Sequence, residues 1–455
     1  MTNNTPEWIK TAFIYHIYPL GLTAAPKTNR IDLPIEYRLE QLTSWLDHLQ
    51  WLGVNTLFLG PIFQSSSHGY DLIDYNQIDR RLGYEETAQS FFKKVRQRGM
   101  RLILDAVFNH SGRDFWAFQD LRKNLQQSPY KDWYQNVRFD QTSPMGDPFT
   151  YQTWDGHYSL PKFNLENPAT RDYLLQATRN WIEKFEIDGL RLDAADHVSL
   201  DFWQELRQMT SQLRPDFWLM GEVVHGQYQQ WANPEHLHSV TNYEAYKGLY
   251  SSLNDKNYFE IAYTLDRQFG SQGLYKDLYL YNFVDNHDVN RIASQLNNKK
   301  NLVPLYALLF SMPGIPSIYY GSEWGVTGER SNHSDQALRP AINVHQMIAN
   351  APEPKLPILI KNLAHLRKSN QALQTGQYHQ ALVNHQQFAF WRTTEDQKIL
   401  IALNSAAVAS QIKLTDLPAY NQIKSVDLSK TTFTIQDHQL LLTIPPHGFS
   451  ILVFD

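Results

Sequence analysis

The stretch Gly189-Leu-Arg-Leu-Asp-Ala-Ala-Asp-His-Val198 decides how the chain is read. It begins as an apolar run of strand length and carries Arg191, Asp193 and His197 at its end. Alternate residues of a strand share a face, so Arg191 and Asp193 point together toward whatever lies above the strand end. An arginine beside a carboxylate orients it and favours its ionised form, as a nucleophile requires. Three further segments end in the same manner: Arg101-Leu-Ile-Leu-Asp-Ala-Val-Phe-Asn-His110, Leu219-Met-Gly-Glu-Val-Val-His225 and Tyr281-Asn-Phe-Val-Asp-Asn-His-Asp288. A single polar strand end serves solubility. Four of them in separate strand–helix units imply one site on the C-terminal face of a parallel barrel, where side chains from different strands converge.

Strand and helix signals alternate up to about residue 370. Strands are expected at Ala12–Ile17, Thr56–Leu59, Arg101–Phe108, Gly189–Asp193, Phe217–Gly221, Ser239–Tyr243, Tyr279–Phe283 and Ser317–Tyr320, and helices include Glu86–Arg98, Arg171–Phe185 and Phe202–Leu213. Eight strand units with intervening helices define an α/β chain built as a (β/α)8 TIM barrel. The stretch from Ser111 to Glu166 is too long for a connecting loop and rich in Trp, Tyr, Asp and Pro. Beyond Thr375 helices all but vanish and short apolar runs follow at Phe388–Arg392, Lys398–Leu403, Leu440–Ile444 and Phe449–Phe454. The expected organisation is a barrel over 1–110 and 167–374, a small inserted domain over 111–166 after the third strand, and a C-terminal all-β sandwich domain over 375–455.

Composition narrows the function. A net charge of −5 over 455 residues offers no basic face for a nucleic acid. Aromatic residues make up 13% of the chain, and part of that excess suits a cleft in which the flat C–H faces of sugar rings stack on aromatic side chains. Without cysteine there is no disulfide framework. The start, Met1-Thr-Asn-Asn-Thr-Pro-Glu7, lacks a signal-peptide pattern, and the longest apolar run, Leu305 to Phe310, is far too short to span a bilayer. A cytoplasmic protein without a membrane partner is expected. Oligomeric state is not legible.

The four segments, in their order, resemble the four conserved regions of the α-amylase family, glycoside hydrolase family 13. Leu160-Pro-Lys-Phe-Asn164 is similar to a fifth motif of its neopullulanase, cyclomaltodextrinase and maltogenic amylase branch, and His68-Gly-Tyr-Asp71 with Asp74-Tyr75 is similar to a segment at the floor of the sugar site. The resemblance implies a small domain inserted after the third strand and an α-glucan oligosaccharide as the partner. It makes Asp193 the nucleophile of a retaining glycosidase, with Arg191 beside it. Glu222 is then the acid/base. It follows Gly221 and has only Val223 and Val224 as neighbours, so no adjacent cation is expected, and such surroundings raise a carboxyl toward the range of a general acid. Asp288 is the third carboxylate, which grips sugar hydroxyls. His110, His197 and His287 become hydrogen-bond donors to the sugar. Tyr70 stacks under it, Asp71 braces the loop, and Asp335 and Arg339 hold the glucose on the non-reducing side of the cleavage point.

A catalytic metal is the competing reading of these histidines. His110, His197 and His287 with Asp105, Asp193 and Asp288 are the residue types of a metal hydrolase, but none of these histidines sits in a short metal-binding spacing and Glu222 would be left without a role. Asn109 matches a calcium ligand of the family, while the loop Tyr18-Pro-Leu-Gly-Leu-Thr-Ala-Ala-Pro26 lacks the Asn/Asp-rich calcium-binding segment common in the branch. The expectation is no metal among the site residues and no required cofactor, a structural calcium being the alternative. Val224 stands where related enzymes carry a Trp, and no residues here encode the N-terminal domain that narrows the cleft in many of them. Without that lid a more open site is expected, which favours linear maltooligosaccharides over cyclodextrins; the leading reading is an α-1,4-glucan hydrolase with some transglycosylation. The competing readings are an α-glucan transferase or an α-1,6- or cyclodextrin-acting relative, and more remotely an inactive carbohydrate-binding protein.

Overall fold

A computed structural model describes residues 4–454 apart from 31, 333 and 427–430. Eight parallel strands form the barrel: β1 (Ile14–Ile17), β2 (Thr56–Leu59), β3 (Arg101–Ala106), β4 (Gly189–Leu192), β5 (Trp218–Gly221), β6 (Ser239–Val240), β7 (Tyr281–Asn282) and β8 (Ile315–Tyr319). Their order, β6-β5-β4-β3-β2-β1-β8-β7, leaves β6 and β7 at the ends. A parallel bridge from Thr241 to Tyr281 joins those ends, with the Asn242 N–H donating to the Tyr281 carbonyl at 2.9 Å. The barrel is closed.

Alternation along each strand explains why the barrel is apolar below and charged above. Ile14, Phe58, Ile103, Trp218 and Met220 belong to one buried cluster. Two residues further along the same faces stand His16, Asp105 and Glu222, and on β4 the inward positions run Gly189, Arg191, Asp193. Gly189 has no side chain because Trp218 occupies that layer: a Cβ there would lie 2.6 Å from the Trp218 carbonyl oxygen. The outward residues, such as Leu57, Leu102, Leu104, Leu190 and Leu219, join the core under the helices. Helices at Glu85–Gln97, Pro168–Phe185 and Leu200–Leu213 cover β2 to β5. The second starts as its sequence dictates, with Pro168 in the first turn and the Asn167 side chain accepting from the Ala169 and Thr170 N–H groups.

All eight expected strands are present. The ladders end earlier than the apolar runs do, at Ala106 rather than Phe108 and at Leu192 rather than Asp193, because those last residues already turn into the loops of the site. The inserted segment holds a helix, Trp116–Asn124, and a short hairpin, Thr153–Trp154 with His157–Pro161. Phe118, Tyr134, Phe149 and Tyr151 pack together in it, and Arg113 pairs with buried Asp147 at 2.6 Å.

C-terminal to the barrel, a five-stranded antiparallel sheet faces a three-stranded one. The larger runs Gln377–Val383, Gln387–Thr393, Lys398–Asn404, Gly448–Phe454 and Ile423–Ser425; the smaller runs Ser410–Leu414, Gln439–Ile444 and Thr432–Gln436. Trp391, Leu400, Ile412, Leu442 and Leu452 fill the space between the sheets. Phe388, Phe390, Ile399 and Ile401, on the opposite face of the larger sheet, merge with the barrel core. Buried Arg392 donates to the Ser311 and Gly376 carbonyls across that junction. Among the described residues no helix is long and apolar enough to cross a membrane.

Candidate active site

The site is organised around one guanidinium. Arg191 Nη1 lies 2.8 Å from Asp105 Oδ1 and 2.9 Å from Asp193 Oδ1, while Nη2 lies 2.8 Å from Glu222 Oε1. Three carboxylates from β3, β4 and the end of β5 therefore share a single buried cation. Two expectations are corrected here. Glu222 does have an adjacent cation, supplied by β4, which neighbours in sequence could not reveal. Burial pushes the Asp193 carboxyl well above its usual range, against the pull of Arg191 and helped by repulsion from Glu222, Asp105 and Asp288.

A second polar group faces the first. His287 Nε2 contacts Asp288 Oδ2 at 2.9 Å and the Tyr70 hydroxyl at 2.5 Å, and that hydroxyl donates to Asp105 Oδ2 at 2.8 Å. Tyr70 and Tyr18 both lie nearly parallel to the His287 ring, at centroid distances of 5.3 and 5.9 Å. Arg339 donates to the His287 carbonyl and to Asp288 Oδ1, at 3.0 and 2.9 Å. Burial opposes ionisation of Asp288, but His287 and Arg339 outweigh it and hold this carboxyl well below the usual range. Arg339 also approaches Asp335 at 3.5 Å, and Asp335 pairs with Arg330 at 2.9 Å. Asp335 and Arg339 thus form part of the cleft's charge network.

Above these groups opens a cleft of about 1030 Å³. It is lined by Tyr70, His110, Asp193, His197, Glu222, Asp288, Asp335 and Arg339; Arg191 and His287 lie just beneath, buried. Every predicted site residue is therefore in the cleft or directly under it. His197 is the outlying one, more than half exposed at the rim, with Asp196 at 3.7 Å. His110 is buried, which pushes its imidazole down to about 3 and keeps it neutral. Its Nδ1 meets the Asn109 side-chain amide at 3.2 Å, while its Nε2 is buried without a hydrogen-bond partner. Asn109 Oδ1 is likewise unpartnered, but among the described residues no group of three His, Cys, Asp or Glu could hold a metal.

Several lining residues escaped the sequence reading: Tyr18, Trp154 and Tyr243. Tyr18 directly follows β1, so the rule that exposed the four motifs applies to it as well. Val224, about a third exposed, also lines the cleft.

Gly221, which precedes Glu222, is required by space. A Cβ there would lie 2.6 Å from Leu237 Cδ1 and 2.8 Å from Ala195 Cβ. Gly221→Ala is expected to cost about 1–3 kcal/mol through overpacking, seen as a lower thermal midpoint. An unchanged midpoint would mean that the turn after β4 yields freely.

A closed (β/α)8 barrel whose strand ends gather carboxylates around one arginine, under a cleft of oligosaccharide size, is the architecture of a barrel glycosidase. Residues 38–358 match the model of the alpha amylase catalytic domain, and residues 381–451 that of the maltogenic amylase C-terminal domain. The chain belongs to the α-amylase family of glycoside hydrolases. It is 31% identical to a cyclomaltodextrinase of Bacillus sp. over 88% of this chain and 74% of the other. It is 30% identical to the intracellular maltogenic amylase of Bacillus subtilis over 99% and 78%. Among solved structures, the ligand-free cyclic α-maltosyl-(1→6)-maltose hydrolase of Arthrobacter globiformis superposes with a TM-score of 0.83 at 26% identity, covering 99% of this chain and all of that one.

Proposed function

We propose that the protein is a retaining hydrolase of α-1,4-glucosidic bonds in maltooligosaccharides and related α-glucans, with transfer to sugar acceptors as a side reaction. The observation that carries this reading is the Arg191 hub, which brings Asp193 and Glu222 onto one guanidinium at 2.9 and 2.8 Å. A retaining mechanism needs two carboxyl groups this near each other. In the proposed cycle Asp193 attacks the anomeric carbon while Glu222 protonates the leaving oxygen. Glu222 then takes a proton from the water that releases the sugar from Asp193. Asp288, fixed in its ionised form by His287 and Arg339, binds sugar hydroxyls. His110 offers a neutral hydrogen-bonding face, Tyr70 gives a stacking surface, Asp335 and Arg339 hold the non-reducing side, and His197 meets the sugar at the rim. The similarity to the intracellular maltogenic amylase of Bacillus subtilis supports an intracellular site of action.

Incubation with maltotriose, pullulan, cyclodextrin and sucrose, followed by chromatography of the products, tests the bond and the substrate. Cleavage confined to the α-1,6 bonds of pullulan would overturn the α-1,4 reading. Proton NMR of fresh products should register the α-anomer first, since two displacements at one carbon restore its configuration; fresh β-anomer would exclude the mechanism. Activity is expected to survive a chelator, and loss restored by a divalent ion would overturn the metal-free reading.

A further inference from the structure

Ala194, immediately after Asp193, adopts φ +44° and ψ +45°. This left-handed region is disfavoured for residues with a Cβ, and an alanine held there is kept by its surroundings. What the conformation achieves is visible in the hydrogen bonds. The Ala194 N–H donates to Glu222 Oε2 at 3.1 Å. The next N–H, of Ala195, donates to the Glu222 carbonyl at 3.0 Å, and the Glu222 N–H donates to the Leu192 carbonyl at 2.9 Å. The strand end bearing Asp193 and the one bearing Glu222 are thereby locked to each other. Ala195 Cβ also fills the space that a side chain on residue 221 would need.

We propose that the main-chain N–H of Ala194 is a positioning group for Glu222, setting the plane of its carboxyl so that one oxygen faces the scissile glycosidic oxygen. Arg191 holds Oε1 and Ala194 holds Oε2, so the carboxyl is fixed at two points and cannot rotate about its last bond. Proton transfer needs that plane, because geometry precedes acidity in selecting a general acid. The device is coupled to the nucleophile, since the same two-residue turn that presents Asp193 aims the amide. This inference rests on the assignment of Glu222 as acid/base.

The direct test replaces only the N–H. Ala194→lactic acid, introduced by nonsense suppression, puts an ester oxygen where the amide nitrogen was and leaves the side chain unchanged. On maltotriose, whose leaving group needs protonation, kcat should fall at least about tenfold with KM within about twofold. On α-glucosyl fluoride, whose leaving group needs little protonation, the first-turnover release of fluoride, which reports glycosylation of Asp193 alone, should stay within about threefold of the parent. Ala194→Val, which cannot sit at positive φ without strain, should follow the ester pattern. Ala194→Gly, which accepts that conformation, should restore the parent ratio between the two substrates. Should the Val variant fail to fold, the ester and Gly variants decide. Equal losses on both substrates, or an unchanged ratio in the ester variant, would overturn the proposal. Glu222→Gln, measured alongside, separates the two ideas. If it shows no selective loss on maltotriose, the acid/base assignment itself fails; if it does and the ester variant does not, only the role of Ala194 is lost.

Discussion

Asp193→Asn should lower kcat/KM for maltotriose by at least about a thousandfold, roughly 4 kcal/mol of barrier, while the protein stays folded and becomes no less stable. Both halves follow from the same hub. Asn keeps an oxygen for Arg191 Nη1, and the backbone bond from the residue 193 N–H to the Ala106 carbonyl is untouched. It cannot form a glycosyl ester, so the covalent route is closed. Stability moves the other way because burial, with the neighbouring carboxylates, raises the Asp193 pKa well above its unfolded value. A carboxyl with a raised folded pKa contributes its stability below the unfolded value and loses it as pH climbs through the folded one. At neutral pH its ionised form is therefore a cost, which the neutral amide removes. The expected result is a melting temperature equal to or above the parent's at pH 7, with the difference narrowing toward pH 4. Residual activity within tenfold of the parent would remove Asp193 from the nucleophile's role. A clearly lower melting temperature at pH 7 would mean that Arg191 holds Asp193 as a stabilising ion pair.

The barrel was legible because its strands are apolar runs of strand length that end in charged residues, a pattern local enough to read from Arg101 to His110 or from Gly189 to Asp193. The carboxylates were legible for the same reason. Contacts between strands were not. Arg191 could be paired with Asp193 from their two-residue spacing, whereas its bonds to Asp105 and Glu222 depend on β4 lying between β3 and β5. The environment of Glu222 was therefore misread from Val223 and Val224, both of which leave its carboxyl free to meet Arg191. Tyr18 and Trp154 were missed because an aromatic residue in a chain this rich in them carries no signal until the loops are folded. The left-handed turn at Ala194 was invisible, since alanine is the residue least suggestive of a strained backbone.

Glu222→Gln should separate leaving groups more sharply than any other single substitution in the site. A neutral amide cannot deliver a proton, so maltotriose and longer glucans should be cleaved at least about a hundredfold more slowly. The amide also cannot satisfy both of its neighbours: Arg191 Nη2 and the Ala194 N–H are donors, and the Gln side chain offers only one acceptor oxygen. Some rate loss could therefore come from displacement, and α-glucosyl fluoride is the control for it. Fluoride departs with little protonation, so a correctly placed Asp193 should still be glycosylated. The sugar should then remain on Asp193, because the water that releases it needs the base that has been removed. Azide needs no such base. Added azide should accelerate turnover and give an α-glycosyl azide, its configuration set by a second inversion at the same carbon. If fluoride and maltotriose are lost in equal measure and azide restores nothing, the proton must come from elsewhere. Asp288 does not qualify while His287 and Arg339 hold it ionised.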